Sequence, residues 1–346
     1  MTEIDRLILK HLQDIPVVEE PFKKISQSLG ISTIELIDRI CQLKEDKIIR
    51  QISPIYDTKS LGYDSSLVAF RVEGDVQQVA QVINNYPGVS HNYERTDEYN
   101  LWFTIAVPPD SRLGLEQTVE ILAKQTGVED YLILRTKKLF KIGVKLDYEN
   151  LKEKESIKTE KKKESNLSFH LSSEDKKIIS VTQEDIPLTE RPFEVFSQTL
   201  GIDQQYLLDK LNTYKSQGLM RRFAAILFHR KAGFTTNGMV VWRVPEERIE
   251  EVGIKLASYK AVSHCYHRET SKNWHYNLFS MIHAKSQEDL EDFVKELSQE
   301  VEVRDFKILY STREFKKKRI KYFSEEFYRW EEDVKDGKYS AAGIKS

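Results

Sequence analysis

Val262-Ser263-His264-Cys265-Tyr266-His267-Arg268-Glu269 nearly repeats a much earlier stretch, Val89-Ser90-His91-Asn92-Tyr93-Glu94-Arg95. A Tyr-Asn-Leu strand pattern follows each, as Tyr99-Asn100-Leu101-Trp102-Phe103 and Tyr276-Asn277-Leu278-Phe279. Outward from this motif the repetition continues. Asp14-Ile15-Pro16 returns as Asp185-Ile186-Pro187, and Ser26-Gln27-Ser28-Leu29-Gly30-Ile31 as Ser197-Gln198-Thr199-Leu200-Gly201-Ile202. Ile133-Leu134 and Phe140-Lys141 return as Ile308-Leu309 and Phe315-Lys316. One long unit has been duplicated; a short-period solenoid is excluded.

Each copy opens with three helical patterns. In the first, Ile4, Leu7, Ile8 and Leu12 have helical spacing and the run stops before Pro16. Pro21-Phe22 starts a second helix, which Gly30 closes. Ser32 caps a third, with Glu35 expected to complete a capping box and Ile34, Ile37, Ile40, Cys41 and Leu43 expected as its apolar stripe. Ile48 to Tyr56 reads as a short hairpin, which gives a winged helix-turn-helix plan. The remainder of each copy reads β-α-β-β-α-β. The first copy's strands are expected near 66–72, 89–95, 101–107 and 128–135, and the second copy's near 238–244, 262–269, 276–283 and 303–310. This is the ferredoxin-like pattern. Its helices cover one sheet face, and the sister copy's sheet is the natural cover for the other.

The expected fold class is α+β, a tandem duplication of a winged helix-turn-helix plus a ferredoxin-like (βαββαβ) domain. The segments read as 1–60 and 61–148, a charged linker at 149–169, then 170–232, 233–323 and a tail at 324–346. The linker is rich in Lys and Glu and too poor in apolar residues to fold a core.

The 346 residues carry a formal net charge of −2, which argues against a generally basic nucleic-acid binder. No apolar run is long enough to span a bilayer. The opening Met1-Thr2-Glu3-Ile4-Asp5-Arg6 lacks the basic start and apolar core of a signal peptide, so a cytoplasmic location is expected. Cys41 and Cys265 form neither a disulfide framework nor a zinc pattern. Nicotinamide and flavin motifs are absent, and no cofactor or metal of the protein's own is expected.

The architecture resembles the Lrp/AsnC regulators and, more sharply, the siroheme decarboxylases. The first copy's His91-Asn92-Tyr93-Glu94-Arg95 and Tyr99-Asn100-Leu101-Trp102-Phe103-Thr104 resemble one subunit type of that enzyme. The second copy resembles the other through Met220-Arg221-Arg222-Phe223, His229-Arg230-Lys231-Ala232-Gly233-Phe234 and Ser263-His264-Cys265-Tyr266-His267-Arg268. The chain departs from the pattern at His267, which aligns with Glu94, and in a connection before Tyr276 that is four residues longer.

The resemblance implies a carboxy-lyase that removes two acetate carboxyl groups from siroheme to give didecarboxysiroheme, in haem d1 or alternative haem biosynthesis. Siroheme carries many carboxylates, and arginine holds a carboxylate with a fixed fork. Arg50, Arg95, Arg221, Arg222, Arg230, Lys231 and Arg268 are therefore the expected substrate-binding cations, with Trp102 and His275 beside them. His264, His91, Tyr266 and Tyr93 are the expected catalytic groups. A histidine near its ordinary pKa of about 6.5 suits proton delivery. Iron enters inside the substrate, with His264 or His275 as its candidate axial ligand.

Taken singly, a strand histidine is more often structural and a strand aromatic is more often core. What shifts the balance is recurrence of the whole cluster. Strand alternation puts His264, Tyr266 and Arg268 on one face, as it does His91, Tyr93 and Arg95. It turns Cys265 and His267 the other way. The expected partners are siroheme and its decarboxylated products, with a second copy of the chain as a candidate homodimer partner. Membrane and DNA are not expected. The alternative is a haem- or small-ligand-responsive Lrp/AsnC-type transcription regulator. Its recognition helix would begin at Ser32-Thr33-Ile34-Glu35-Leu36-Ile37-Asp38-Arg39-Ile40, where acids match or outnumber bases. That is a poor supply of phosphate contacts.

Overall fold

The computed structural model describes residues 2–143, 150–156, 170–228 and 236–338. The first copy runs α1 (Glu3–His11), α2 (Pro21–Leu29), α3 (Thr33–Glu45), β1 (Ile49–Tyr56), β2 (Asp64–Phe70), α4 (Val76–Asn84), β3 (Val89–Arg95), β4 (Leu101–Val107), α5 (Gly114–Thr126), β5 (Tyr131–Leu134) and β6 (Thr136–Ile142). The second runs α6 (Ser173–Thr182), α7 (Pro192–Leu200), α8 (Gln204–Ser216), β7 (Met220–Leu227), β8 (Thr236–Trp242), α9 (Ile249–Ala257), β9 (Val262–Arg268), β10 (Leu278–Ala284), α10 (Gln287–Glu300), β11 (Phe306–Lys317) and α11 (Glu325–Lys335). The segments gather pairwise into two compact units.

The helical unit holds 1–63, 166–230 and 321–325. Pro21 opens α2, and Gly30, at φ 68°, ends it in the left-handed conformation that a side chain would disfavour. Ser32 caps α3 by accepting the Glu35 N–H. The Glu35 carboxylate goes to Arg39 instead of returning to the cap, so the expected capping box is only half formed. Ile34 is 68% exposed and the buried stripe is Leu36, Ile40 and Leu43.

The expected hairpin is absent. Ile49–Tyr56 is one strand, and it pairs antiparallel with β7 of the other copy, Ser53 opposite Ala224 and Pro54 opposite Phe223. Ser53-Pro54 lacks the positive-φ residues a two-residue hairpin turn requires, so the strand runs on and finds its partner in the sister copy. Further links join the copies here: the Ile15 N–H donates to the Phe223 carbonyl and the Ile186 N–H to the Ile52 carbonyl.

The sheet unit holds 64–165, 231–320 and 326–346. Its nine strands lie in the order β5-β2-β4-β3-β11-β8-β10-β9-β6. The edge strands β5 and β6 are separated in the chain only by Arg135, so one strand leaves one edge and continues on the other. The sheet thereby closes on itself. β11 makes the second junction, pairing with β8 through Phe306–Tyr310 and with β3 through Ser311–Lys317. Both crossing strands outrun the ends expected from alternation near 135 and 310.

One core lies between the second copy's strands and the helices α9 and α10, around Trp242, Val252, Leu256, Val262, Phe293 and Leu297. A second draws on both copies, with Leu67, Ala69 and Trp102 from one and Met239, Val241 and Phe279 from the other. Each half-sheet thus covers the other's bare face, as expected.

The described linker residues 150–156 run along α10, where Lys152 pairs with Glu296 and Lys154 with Glu300. The aromatic stretch near the C-terminus divides. Phe323 packs edge-on to Tyr63 in the helical unit, while Phe327 and Trp330 of α11 bury against Tyr86 in the sheet unit. Among the described residues no helix is long and apolar enough to cross a membrane.

Candidate active site

The repeated motif occupies β3 and β9, and its alternate side chains form two columns. On β9, His264 stacks on Tyr266 with ring centroids 6.2 Å apart and planes at 13°. The Arg268 guanidinium lies over the Tyr266 ring at 4.5 Å and over Phe279 at 5.6 Å. On β3, His91 stacks on Tyr93 at 6.3 Å and 23°, and Arg95 lies over Tyr93 at 5.4 Å. The face shared by each trio is the one strand alternation predicts. His267 turns away, its Nε2 3.6 Å from the Glu246 carboxylate.

Arg95 and Arg268 are the unusual members. They are 6% and 8% exposed. Arg268 donates to the Leu134 carbonyl at 3.2 Å and the Thr136 hydroxyl at 2.9 Å, and Arg95 to the Leu309 carbonyl at 3.3 Å. In each the Nε has no partner, and neither has a carboxylate beside it among the described residues. Burial pulls both guanidinium pKa values down to about 10, against the opposing influence of the stacked tyrosine. A buried, unneutralised cation costs stability unless an anion completes it. Two such cations stand at matching positions.

The histidines sit in a cationic setting. Burial first, then His283, His91, Arg268 and Lys141, push the His264 imidazole down to about 4. His91 is lowered by burial and by Lys317, with Glu314 opposing. Tyr93 is pushed up to about 12 by burial and by Glu314, to which its hydroxyl donates at 3.2 Å. Burial also raises Tyr266.

An unfolded histidine titrates near 6.5. Below that pH the unfolded chain takes up protons that folded His264 and His91 refuse. The stability contributed by the neutral His264 imidazole is complete above about pH 6.5 and is lost as pH falls toward about 4, and His91 acts in the same direction. The melting temperature should therefore drop across this window, and less steeply in His264→Gln. Identical slopes for the two proteins would refute the assignment.

Trp102 is 1% exposed, its Nε1 donating to the Tyr99 carbonyl at 2.5 Å and its ring 5.4 Å from Trp274. It packs in the core shared by the two copies. His275 is exposed on the β9–β10 connection. Arg50, Arg221 and Arg222 belong to the helical unit and are exposed, with Arg221 donating to Asp57. Arg230 and Lys231 lie outside the described residues.

Sequence reasoning missed a serine and a histidine. Ser263 Oγ lies 2.9 Å from His264 Nδ1 and 2.9 Å from His283 Nε2. The signal was present in the Ser-His pair common to both copies and in the alternation Phe279, Met281, His283 along β10. Among the described residues no group of three or more His, Cys, Asp or Glu is placed to hold a metal ion.

Comparison with known proteins agrees with this architecture. An AsnC-like ligand binding domain model matches residues 60–141 and 231–316, and a siroheme decarboxylase NirDL-like HTH domain model matches 5–50 and 175–221. The siroheme decarboxylase of Hydrogenobacter thermophilus is 49% identical over 329 residues, covering 95% of this chain and 97% of that protein. The chain belongs to the siroheme decarboxylase family. Among its relatives, the siroheme decarboxylase beta subunit of Methanosarcina barkeri is 43% identical over 143 residues, 41% of this chain and 94% of that subunit. Family members thus include single subunits and, as here, chains of two copies. The crystal structure of the siroheme decarboxylase NirDL superposes with a TM-score of 0.81 at 43% identity, covering 97% of this chain and 99% of that one. The same protein has been solved in complex with an iron-uroporphyrin III analogue, with the same score and coverage. Both copies of this family member keep the column, on β3 and on β9.

Proposed function

We propose that this chain removes CO2 from two acetate side chains of siroheme, giving didecarboxysiroheme for haem d1 or alternative haem biosynthesis. The observation that carries the reading is the pair of buried arginines, Arg268 and Arg95, each stacked on a tyrosine and each lacking a carboxylate partner among the described residues. A polycarboxylate macrocycle supplies the anion they lack. The charge-assisted hydrogen bonds so formed are the strong kind and fix orientation.

In this reading the reaction breaks a carbon–carboxylate bond and leaves its electron pair on the former methylene carbon. The conjugated tetrapyrrole spreads that charge, so the substrate is its own electron sink. The protein orients the acetate, excludes water and delivers one proton. His264 is the donor, with Tyr266 stacked against it, and His91 and Tyr93 form the partner column. Arg268 and Arg95 hold carboxylates that do not react and so select the acetate that faces the acid.

The test is anaerobic incubation of the protein with siroheme, followed by mass spectrometry of the tetrapyrrole. We expect two successive losses of CO2. Bound siroheme of unchanged mass would make the protein a carrier and overturn the proposal.

A further inference from the structure

We infer that His283 is a positioning and proton-supplying residue that acts on His264 through the Ser263 hydroxyl. The inference rests on the reading of His264 as proton donor.

The geometry is a three-group chain on adjacent strands. Ser263 Oγ is 2.9 Å from His264 Nδ1, 2.9 Å from His283 Nε2 and 3.3 Å from the Met281 carbonyl oxygen. A hydroxyl carries one hydrogen, so it satisfies only one of these acceptors, and at least one imidazole must donate to Oγ. Three neutral arrangements are complete: in one the hydroxyl donates to the Met281 carbonyl and both imidazoles donate to Oγ, and in the other two the hydroxyl donates to an imidazole. In the first of these two, His283 Nε2–H donates to Ser263 and Ser263 donates to His264 Nδ1, which leaves the His264 proton on Nε2. In the second both bonds are reversed and His264 Nε2 is bare. Where the hydroxyl donates to an imidazole, the serine ties the tautomer of one histidine to that of the other, and the first of these two states is the one that arms His264 with an Nε2 proton.

This coupling is what a buried donor needs. His264 is half-buried beside Arg268, Lys141 and two further imidazoles, a setting hostile to a standing positive charge. It must then give its Nε2 proton from the neutral ring, which works only if a proton reaches Nδ1 in the same step. As the carbon–carboxylate bond breaks and CO2 leaves, the electron pair on carbon takes the Nε2 proton. The Ser263 proton moves to His264 Nδ1, and the His283 Nε2 proton moves to Ser263 Oγ. His283, itself only half-buried, regains one proton from solvent. Every ring ends neutral, and one solvent proton is consumed per CO2.

The first copy lacks this device. Ser90 Oγ sits 2.9 Å from His91 Nδ1, but its second contact is the Thr104 hydroxyl at 2.7 Å. Aligning β4 with β10 places Thr104 at the position of Met281 and Ala106 at the position of His283. The chain from His91 ends at a hydroxyl, a far poorer proton source than an imidazole.

The experiment compares His283→Ala, His283→Gln and His264→Ala, measuring kcat and KM for siroheme with and without added imidazole. Loss of an outer partner commonly costs about 10- to 100-fold. We expect His283→Ala to lower kcat by roughly that factor with KM within about twofold. Imidazole should restore part of the loss, whereas His283→Gln, which cannot pass a proton, should stay impaired. A kcat at the parent level, a loss that falls on KM, or a loss that imidazole leaves untouched overturns the inference. If His264→Ala is inactive while His283→Ala is normal, the relay fails and the donor assignment stands. If both are normal, the donor assignment fails as well.

Discussion

His264→Ala will lower siroheme turnover by roughly 10²- to 10⁴-fold, the range a positioned general acid contributes. KM will change little, because carboxylate binding is the work of the arginines. The substituted protein will fold, since His264 is half-buried and its side chain adds little to either core. His91→Ala, in the column without an imidazole behind its serine, will cost less. Single-turnover measurement with siroheme in defined amounts separates the first CO2 loss from the second. A His264→Ala protein that decarboxylates at the parent rate would remove the second copy's column from the chemistry.

Arg268→Met will weaken siroheme binding by about 10- to 150-fold, because a hydrogen bond to a charged group contributes roughly 1.5–3 kcal/mol. Its melting temperature will stay near that of the parent. The substitution discards hydrogen bonds to Leu134 and Thr136, but it also removes the desolvation cost of a buried cation that lacks a carboxylate. Arg268→Lys keeps the charge but not the planar fork or its stacking over Tyr266, so it will recover only part of the affinity. Absorbance titration with siroheme, paired with thermal melts, measures both quantities. Unchanged affinity together with a large fall in melting temperature would make Arg268 a structural group.

The two expectations share a cause. Groups whose charge is costly in the folded protein alone, the two arginines and the depressed imidazoles, are concentrated on two strands. Function is where a fold tolerates such costs. The duplication preserved the columns while the surroundings diverged, through His283 against Ala106 and Met281 against Thr104.

Much of this was legible in the chain. The duplication follows from residue identities recurring in the same order in both halves, and the strand face of His264, Tyr266 and Arg268 from a period of two. The ends of α2 followed from Pro21 and Gly30. These are local rules, and each needs only a few neighbouring residues. What pairs with what lay beyond them. The hairpin expected at Ile48 to Tyr56 became one strand because its partner, β7, lies more than one hundred and sixty residues away. β6 and the far half of β11 were foreshadowed only by the recurrence of Phe140-Lys141 as Phe315-Lys316. Their role in closing the sheet depends on hydrogen bonds to the sister copy. An aromatic on a strand does not reveal what covers it: the second copy puts Trp274 against Trp102.

The amino-acid sequence by itself determined the repeated plan, the elements of each copy and the chemistry held in the two motifs, because propensity, periodicity and residue type act at short range. Tertiary structure alone decided that the copies interlock strand by strand, that Arg95 and Arg268 are buried without a carboxylate among the described residues, and that His283 stands across Ser263 from His264. Burial and hydrogen-bond partnership are properties of the surroundings, and here the surroundings come from parts of the chain remote in sequence.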